Sequence, residues 1–176
     1  MRALVVLTGD LPELERAVRE AGLDPLPDRV PGAGPLGGVH AALELALEAG
    51  DAGVLFLPCD MPLVPEAVPR ALARAPALPG ERALVASSGA PPVLHPLCAR
   101  FHTSALRVVR TRLEPGENRS IFGLLEALDA RSLSFDRTSL DGLDPARAFA
   151  GANTPRALDG LERLARTPHS ESPNAR

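Results

Sequence analysis

Three features of this chain combine residue types and positions that suit ligand chemistry. Asp60 follows the apolar run 54–58, between Pro58 and Pro62, which stiffen the turn. A carboxylate at the end of a buried strand suits Mg²⁺, which takes one or two carboxylates and fills its other positions with water and substrate phosphates. Asp60 could instead cap a helix that begins near Pro65. The spacing alone leaves both interpretations open.

The other two features lie at the starts of predicted helices. The loop 32–38 is rich in glycine and proline and leads into a helix, so its backbone could approach an anion or polar ring atoms. It matches neither common phosphate-binding fingerprint, and taken alone the pattern favours a plain tight turn over a binding site. Asn153 stands two residues before Pro155 and the last predicted helix. Asn153 could bind a phosphate or a metal, or it could form an Asn turn or a helix cap.

Other chemistry-bearing residues form no recognisable set. His95 directly precedes Pro96. It could bind a ligand, but this position favours a structural role. Cys59 and Cys98 lack the Cys-x-x-Cys spacing, which favours reduced thiols over a disulfide framework. No Ser/His/Asp arrangement and no His/Cys cluster of zinc-binding spacing is evident in the sequence.

The elements that must position these residues alternate between strand and helix patterns, which predicts βαβ units and a mostly parallel sheet. Predicted strands cover residues 3–8, 53–58, 83–87, 92–98 and 132–135, with a short extended piece at 24–28. Predicted helices include 65–75, 102–113, 121–128 and 156–165. The pair His95-Pro96 makes strand 92–98 suited to an edge or a bend. We expect one α/β domain at 1–166 and a flexible polar tail at 167–176.

Composition narrows the function classes. With five Phe, no Trp or Tyr and a net charge of −3, the chain lacks the stacking aromatics and basic surface typical of nucleic-acid binding. The longest apolar runs fall far short of the ~20 residues of a membrane-spanning helix, and no signal-peptide pattern is present. We therefore expect a cytoplasmic protein with neither a nucleic-acid nor a membrane partner. All 19 basic residues are Arg, so a mechanism that needs a lysine must take it from another chain.

Five segments together resemble the molybdenum cofactor guanylyltransferases in order and approximate spacing. The segments are residues 27–44, 55–65, 93–97, 115–120 and 149–158. The most specific are the Pro-Cys-Asp-x-Pro motif at 58–62 and the Asn-Thr-Pro motif at 153–155. The resemblance implies a three-layer, doubly wound, mostly parallel sheet like that of nucleotide-diphospho-sugar transferases.

Enzymes of that family join GMP from GTP to molybdopterin and release pyrophosphate, with Mg²⁺ between the nucleotide phosphates and a protein carboxylate. The resemblance implies that Asp60 is catalytic and binds the metal, that Asn153 is catalytic near the phosphates, and that Asp28, Pro35, Leu36 and Gly37 bind the nucleotide. A carboxylate at Asp28 can accept hydrogen bonds from both N1–H and the exocyclic amine of guanine. His95, Glu117 and Arg119 stand where the pterin half approaches.

The chain departs from the family pattern in two places. The family opens with a strand and the loop Leu-Ala-Gly-Gly-x-x-x-Arg-Met-Gly-x-Asp-Lys before the segment equivalent to 3–8, and this chain shows no such βα unit. The Arg and Lys of that loop neutralise charge during phosphoryl transfer, and Arg29 or Arg119 are the candidates to compensate. In addition, Gly151 replaces the first Asn of the family's Asn-x-Asn-Thr-Pro.

These departures leave several hypotheses open. The chain is a guanylyltransferase, acting alone or with a protein partner or second copy; a non-catalytic nucleotide- or pterin-binding partner in cofactor assembly; or a related nucleotidyltransferase. The absent strand normally lies inside the sheet, so its loss should leave backbone groups unpaired. Either neighbouring strands close the gap, another chain fills it, or the start codon was misassigned.

Overall fold

A computed structural model describes residues 4–7, 12–30, 32–152 and 154–166. Six strands fall within these residues: β1 Leu4–Leu7, β2 Asp24–Pro27, β3 Gly53–Phe56, β4 Ala83–Ser88, β5 Val93–His102 and β6 Arg131–Phe135. The described helices are α1 Pro12–Glu20, α2 Pro35–Glu48, α3 Ala67–Arg74, α4 Leu106–Leu113, α5 Ile121–Ala127, α6 Pro145–Ala148 and α7 Pro155–Arg166. The predicted tail 167–176 lies outside the described residues, so the domain boundary stays a prediction.

The strands form two sheets. Strands β1 and β2 pair in parallel, with Leu4 opposite Asp24. The second sheet has the order β3-β5-β4-β6, in which β4 and β6 are parallel and β5 is antiparallel to both of its neighbours. The predicted α/β class is confirmed. The sheet is mixed because a turn of only four residues, 89–92, joins β4 to β5, and so short a connection requires an antiparallel pair.

Helices cover both faces of the four-stranded sheet, as the predicted three-layer arrangement requires. Helices α2, α4 and α5 pack on one face, where Leu43, Val109 and Leu124 meet Val85 and Phe101 of the sheet. On the other face, the core contains residues of α3, of the sheet and of the segment after β6: Val68, Leu72, Leu84, Cys98, Phe135, Leu140 and Phe149. We call these two sides the α2 face and the α3 face.

Helix α2 joins the two sheets. It begins at Pro35 after Gly34, whose φ of 58° needs glycine, and it contacts strands β1, β2 and β3. All residues from 36 to 43 are buried as a result. Within the described residues, β1 and β3 do not pair with each other. The alternative in which neighbouring strands close the gap is therefore wrong for this part of the chain.

Strand β5 corrects one prediction made from the sequence. It is an interior strand between β3 and β4, so the edge interpretation of the His95-Pro96 pair is wrong. The bend is confirmed, because Val85 lies opposite Ala99 whereas the next residue, Ala86, lies opposite His95. Proline is tolerated in such an irregularity because the ladder there needs no N–H. Among the described helices, none is long and apolar enough to cross a membrane.

Candidate functional site

The carboxyl end of the four-stranded sheet brings together two sequence-predicted residues. Strands β3, β4 and β6 run in the same direction, so their carboxyl ends lie together, and the first residues of the opposing strand β5 lie there too. Asp60 follows β3, and His95 stands near the beginning of β5. The carboxyl end is where ligands bind in open α/β sheets.

Asp28 and Gly37, two predicted nucleotide-binding residues, are in direct contact. Asp28 follows β2 and is half-buried, and its Oδ1 accepts a hydrogen bond from the Val30 amide at 2.8 Å. A Cβ built on Gly37 would lie 2.7 Å from Cγ of Asp28 and closer still to both carboxylate oxygens. Because any larger residue would displace the carboxylate, this close approach requires glycine at position 37.

The remaining predicted nucleotide-binding residues open helix α2. Pro35 is its first residue and is exposed, whereas Leu36 is fully buried in the core of the α2 face. The Leu36 side chain therefore serves packing, and its backbone is the part that a ligand could approach. The Gly37 amide donates to the Gly34 carbonyl at 3.1 Å, which closes the turn that enters the helix.

The Asp60 turn is tied to a distant loop. The Ala152 amide donates a 2.6 Å hydrogen bond to the carbonyl of Asp60, which is half-buried. Asn153 follows Ala152 in the chain but lies outside the described residues, so its predicted role stays a prediction. The capping alternative for Asp60 is wrong, because Glu66 occupies the N-cap position of α3 and no side chain caps that helix.

The chemistry of the Asp60 carboxylate fits Mg²⁺. Burial and the nearby Asp60 charge raise the pKa of the Cys98 thiol to about 11, so this buried thiol is neutral at pH 7. The described residues hold no group of three or more His, Cys, Asp or Glu side chains able to bind a metal. A single carboxylate suits an ion whose other ligands are water and substrate phosphates.

His95 anchors the other end of the loop that reaches Asp60. Its Nε2 lies 2.8 Å from Ser88 Oγ, and its ring stacks on Phe149 with centroids 3.8 Å apart and planes 6° apart. Burial lowers the pKa of His95, which keeps the ring neutral near pH 7. The segment 149–152 is thus held by the His95 ring at one end and by the Asp60 carbonyl at the other.

Glu117 and Arg119 are not brought together with His95. Both lie exposed in the turn between α4 and α5, and Arg119 Nη2 donates to the Leu113 carbonyl at 3.0 Å. Those helices cover the α2 face, whereas His95 stacks on Phe149 on the α3 face. Their shared pterin-side role stays a prediction.

Arg29, a candidate to replace the family's cationic loop, is already paired. Its Nη1 lies 2.7 Å from Glu44 Oε2 and 3.6 Å from Glu48 Oε1. Glu44, the partner of Arg29, is a residue that the sequence motifs do not single out. The available signal was spacing, because Glu44 follows Gly37 by two helical turns and so shares its face of α2.

Known proteins resemble this chain in sequence and in structure. The family model of the MobA-like NTP transferase domain matches residues 1–131. A protein of Methanothermobacter thermautotrophicus described as "Probable molybdenum cofactor guanylyltransferase" is 62% identical over 39 residues, which cover 22% of this chain and 18% of that protein. The matched stretch therefore spans less than a fifth of that curated relative.

Two solved structures share the fold. Molybdopterin-guanine dinucleotide biosynthesis protein A from Archaeoglobus fulgidus has a TM-score of 0.69 at 24% identity, over 91% of this chain and 76% of its own. A protein from Aquifex aeolicus VF5 has a TM-score of 0.65 at 17% identity, over 86% and 70%. At these identities the structures establish the fold alone. The match over residues 1–131 establishes the family: the chain belongs to the MobA-like NTP transferase domains.

Proposed function

We propose that this protein transfers GMP from GTP to molybdopterin and releases pyrophosphate, as a cytoplasmic enzyme of molybdenum cofactor biosynthesis. In this reaction a phosphate oxygen of molybdopterin bonds to the α-phosphorus of GTP, and pyrophosphate leaves with the electrons of the broken P–O bond. Family membership supports the transferase class, and one contact carries the choice of base. That contact is the fixed Asp28 carboxylate over Gly37.

The Asp28 carboxylate selects guanine by its hydrogen-bonding capacity. Oδ1 is oriented by the Val30 amide, and carboxylate oxygens have lone pairs left for both N1–H and the 2-amino group of guanine. Adenine presents an acceptor at N1 and would meet the carboxylate with repulsion. The backbone of Pro35, Leu36 and Gly37 would line the same pocket at the start of α2.

Asp60 would hold Mg²⁺ together with the phosphates of GTP and water. Bound there, the ion would neutralise charge on the phosphate oxygens during transfer. The chain contributes a turn fixed by the Ala152 amide and a neighbouring thiol kept neutral by burial. We place Asn153 beside the phosphates, and His95, Glu117 and Arg119 on the molybdopterin side, by resemblance to the family.

Calorimetry of GTP binding, with and without Mg²⁺, tests this proposal. The wild type should bind GTP, Mg²⁺ should strengthen the binding, and Asp60→Ala should abolish the effect of Mg²⁺. Asp51→Ala is the matched control, because Asp51 is exposed and precedes β3 at the opposite end of the same strand. Absence of heat with GTP and Mg²⁺ at high concentration would contradict the proposal.

Competition between nucleotides tests the assigned base. The wild type should prefer GTP over CTP by at least about tenfold, since sites built to pair with specific donors reject analogues that lack them. Asp28→Asn should reduce this preference, because an amide can no longer accept both guanine hydrogens. Equal affinity for GTP and CTP would favour a transferase with a different base.

A non-catalytic, GTP-binding partner in cofactor assembly is the second candidate. One observation favours it: both arginines that could replace the family's cationic loop already have partners. Arg29 is bound to Glu44, and Arg119 to the Leu113 carbonyl. Pyrophosphate release from GTP and molybdopterin separates the two candidates. Release that disappears in Asp60→Ala would exclude the second, whereas GTP binding without release, with or without a second protein, would support it.

A further inference from the structure

The segment that carries Asp28 packs along one face of helix α2. Gly37, His40, Glu44 and Glu48 follow one another at spacings of three and four residues and so share this face. Asp28 lies against Gly37, and its neighbour Arg29 reaches Glu44 at 2.7 Å. Two consecutive residues of the loop are therefore fixed at two points of the same helix.

Glu44 is the centre of this arrangement. Its side chain is only 16% exposed, Oε2 accepts from Arg29, and Oε1 accepts from Arg110 Nη2 at 3.0 Å. His40 Nε2 lies 3.1 Å from the same Oε1, and its other ring nitrogen, Nδ1, is buried without a hydrogen-bond partner. Glu44 thereby links the loop after β2, helix α2 and helix α4.

The electrostatic balance at Glu44 keeps it charged. Burial raises the pKa of this carboxyl, but the Arg110 hydrogen bond, the electrostatic interaction with His40, and the hydrogen bond and charge of Arg29 together outweigh burial. The net pKa of Glu44 lies below its ordinary value, so the carboxylate binds Arg29 as an anion at neutral pH. Charge-assisted hydrogen bonds of this kind are stronger than neutral ones.

Helix α2 makes the distance between its two fixing points constant. Residues 36–43 are buried, so the N-terminal half of the helix is held on all sides. Gly37 and Glu44 are separated by two turns, about 10.5 Å along the axis. Arg29 at Glu44 and Asp28 at Gly37 are therefore held at two points of the helix a set distance apart.

We propose that Glu44 is a positioning residue for purine-base selection, acting through Arg29 on Asp28. The inference rests on the proposed function in one respect, namely that Asp28 pairs with guanine. Glu44 itself does not touch the nucleotide. It orients the carboxylate whose two oxygens must meet two guanine donors at once, and small displacements of such groups are costly.

Amide hydrogen exchange at Val30 tests the positioning step without nucleotide. The Val30 amide is protected by Asp28 Oδ1, so Glu44→Gln and Arg29→Gln should each speed its exchange by about fivefold, roughly the worth of one hydrogen bond. Arg110→Gln is the matched control, because it removes another contact of Glu44 but leaves Arg29 in place. Unchanged exchange in Glu44→Gln, or equal acceleration in Arg110→Gln, would overturn the proposal.

The ratio of GTP to ITP affinity tests the consequence for recognition. ITP keeps N1–H but lacks the 2-amino group, so the ratio reports simultaneous pairing with both oxygens. Glu44→Gln and Arg29→Gln should lower this ratio about fivefold and the double variant no further, as expected for one coupled pair. Arg110→Gln should leave the ratio unchanged.

These readouts separate the possible failures. A purely structural role of Glu44 would weaken binding of both nucleotides equally and leave their ratio intact, which would overturn the inference. If the wild type binds no GTP, the proposed function fails, while Val30 exchange still decides whether Glu44 positions Asp28. The Arg29 side chain is 46% exposed, so we expect Arg29→Gln to fold and to keep the proposal testable even if Glu44→Gln is unstable.

Discussion

The Ala152 amide donates a hydrogen bond to the Asp60 carbonyl at 2.6 Å, which joins the loop before α7 to the turn after β3. At its other end this loop begins with Phe149, whose ring stacks on His95. Two sequence-predicted residues, Asp60 and His95, are therefore connected through one short segment of backbone. This connection gives the proposed metal carboxylate a fixed backbone position before any ligand binds.

Ala152→Pro removes the donor of this hydrogen bond. We expect a loss of about 1 kcal/mol in the free energy of unfolding, the usual worth of one such bond. We also expect weaker Mg²⁺-dependent GTP binding, because the Asp60 turn gains freedom. Ala152→Gly is the control, since it keeps the N–H and removes only Cβ. Denaturant unfolding and calorimetry measure the two effects, and wild-type GTP affinity in Ala152→Pro would argue against this role.

Gly37→Ala should have opposite effects on helix stability and on GTP binding. Alanine in place of glycine inside a helix usually stabilises by about 0.5–1 kcal/mol, but here its Cβ would displace the Asp28 carboxylate. We expect GTP affinity to fall at least tenfold, as for the loss of an oriented charged acceptor. Gly160→Ala, in open space on α7, is the matched control and should leave GTP affinity unchanged. Unchanged, tight GTP binding by Gly37→Ala would show that Asp28 is not part of the nucleotide pocket.

The sequence predicts where the strands lie, although not every strand end: β3 ends at Phe56 rather than at 58, and β5 at His102 rather than at 98. The continuous apolar run locates β3 to within two residues of its carboxyl end, which is enough to place Asp60 at that end of the sheet. The α/β class follows from the alternation of strand and helix patterns, whereas helices on both faces are what the resemblance to the family implies. Such local periodicity depends only on which side chains must be buried, and it survives in the structure.

Long-range contacts could not be predicted from the sequence, because they join residues that no local pattern relates. The need for glycine at position 37 arises from a carboxylate that approaches from another loop, and no local pattern encodes that approach. Pro96 predicts an edge position for strand β5, yet an irregular register accommodates the proline inside the sheet. No sequence motif singles out Glu44, since its partners Arg29 and Arg110 come from separate elements.

The buried His95 should make stability depend on pH. Burial lowers its folded pKa below the ordinary value of 6.5, so the unfolded chain takes up the proton first as pH falls. The wild type should therefore lose stability relative to His95→Phe as pH drops below 6.5 and through the folded pKa. Phenylalanine keeps a ring against Phe149 and cannot titrate.

His102→Asn is the control for this titration, because His102 is exposed at the far end of β5. Comparison with this variant shows whether a change in the pH dependence of the unfolding free energy belongs to His95 in particular or follows from removing any histidine. A difference between wild type and His95→Phe that stays constant from pH 7.5 to about pH 5 would show that His95 titrates alike in both states. The same change can be followed by the ring proton shifts of His95.

Glu81 fixes the edge of the sheet opposite the site. Its carboxylate, 7% exposed, bonds to Arg100 at 2.8 Å and to Arg131 at 2.7 Å, which links strands β5 and β6. Arg100 also donates to the Leu72 and Ala75 carbonyls at the end of α3. Glu81→Gln should cost about 2 kcal/mol of unfolding free energy, the range of charge-assisted hydrogen bonds.

The pH dependence of this loss provides the decisive check. Burial raises the pKa of Glu81, but the hydrogen bonds with Arg131 and Arg100, the charge of Arg131 and a hydrogen bond with the Leu78 backbone together outweigh burial. The folded pKa therefore lies below the ordinary 4.5. The stabilisation is present above pH 4.5 and should disappear as pH falls through the folded pKa. Glu66→Gln is the control, because the Glu66 side chain is 80% exposed in its ion pair with Arg70. It should cost less than about 0.5 kcal/mol of unfolding free energy. An equal loss in both variants would mean that Glu81 contributes no more than a surface charge.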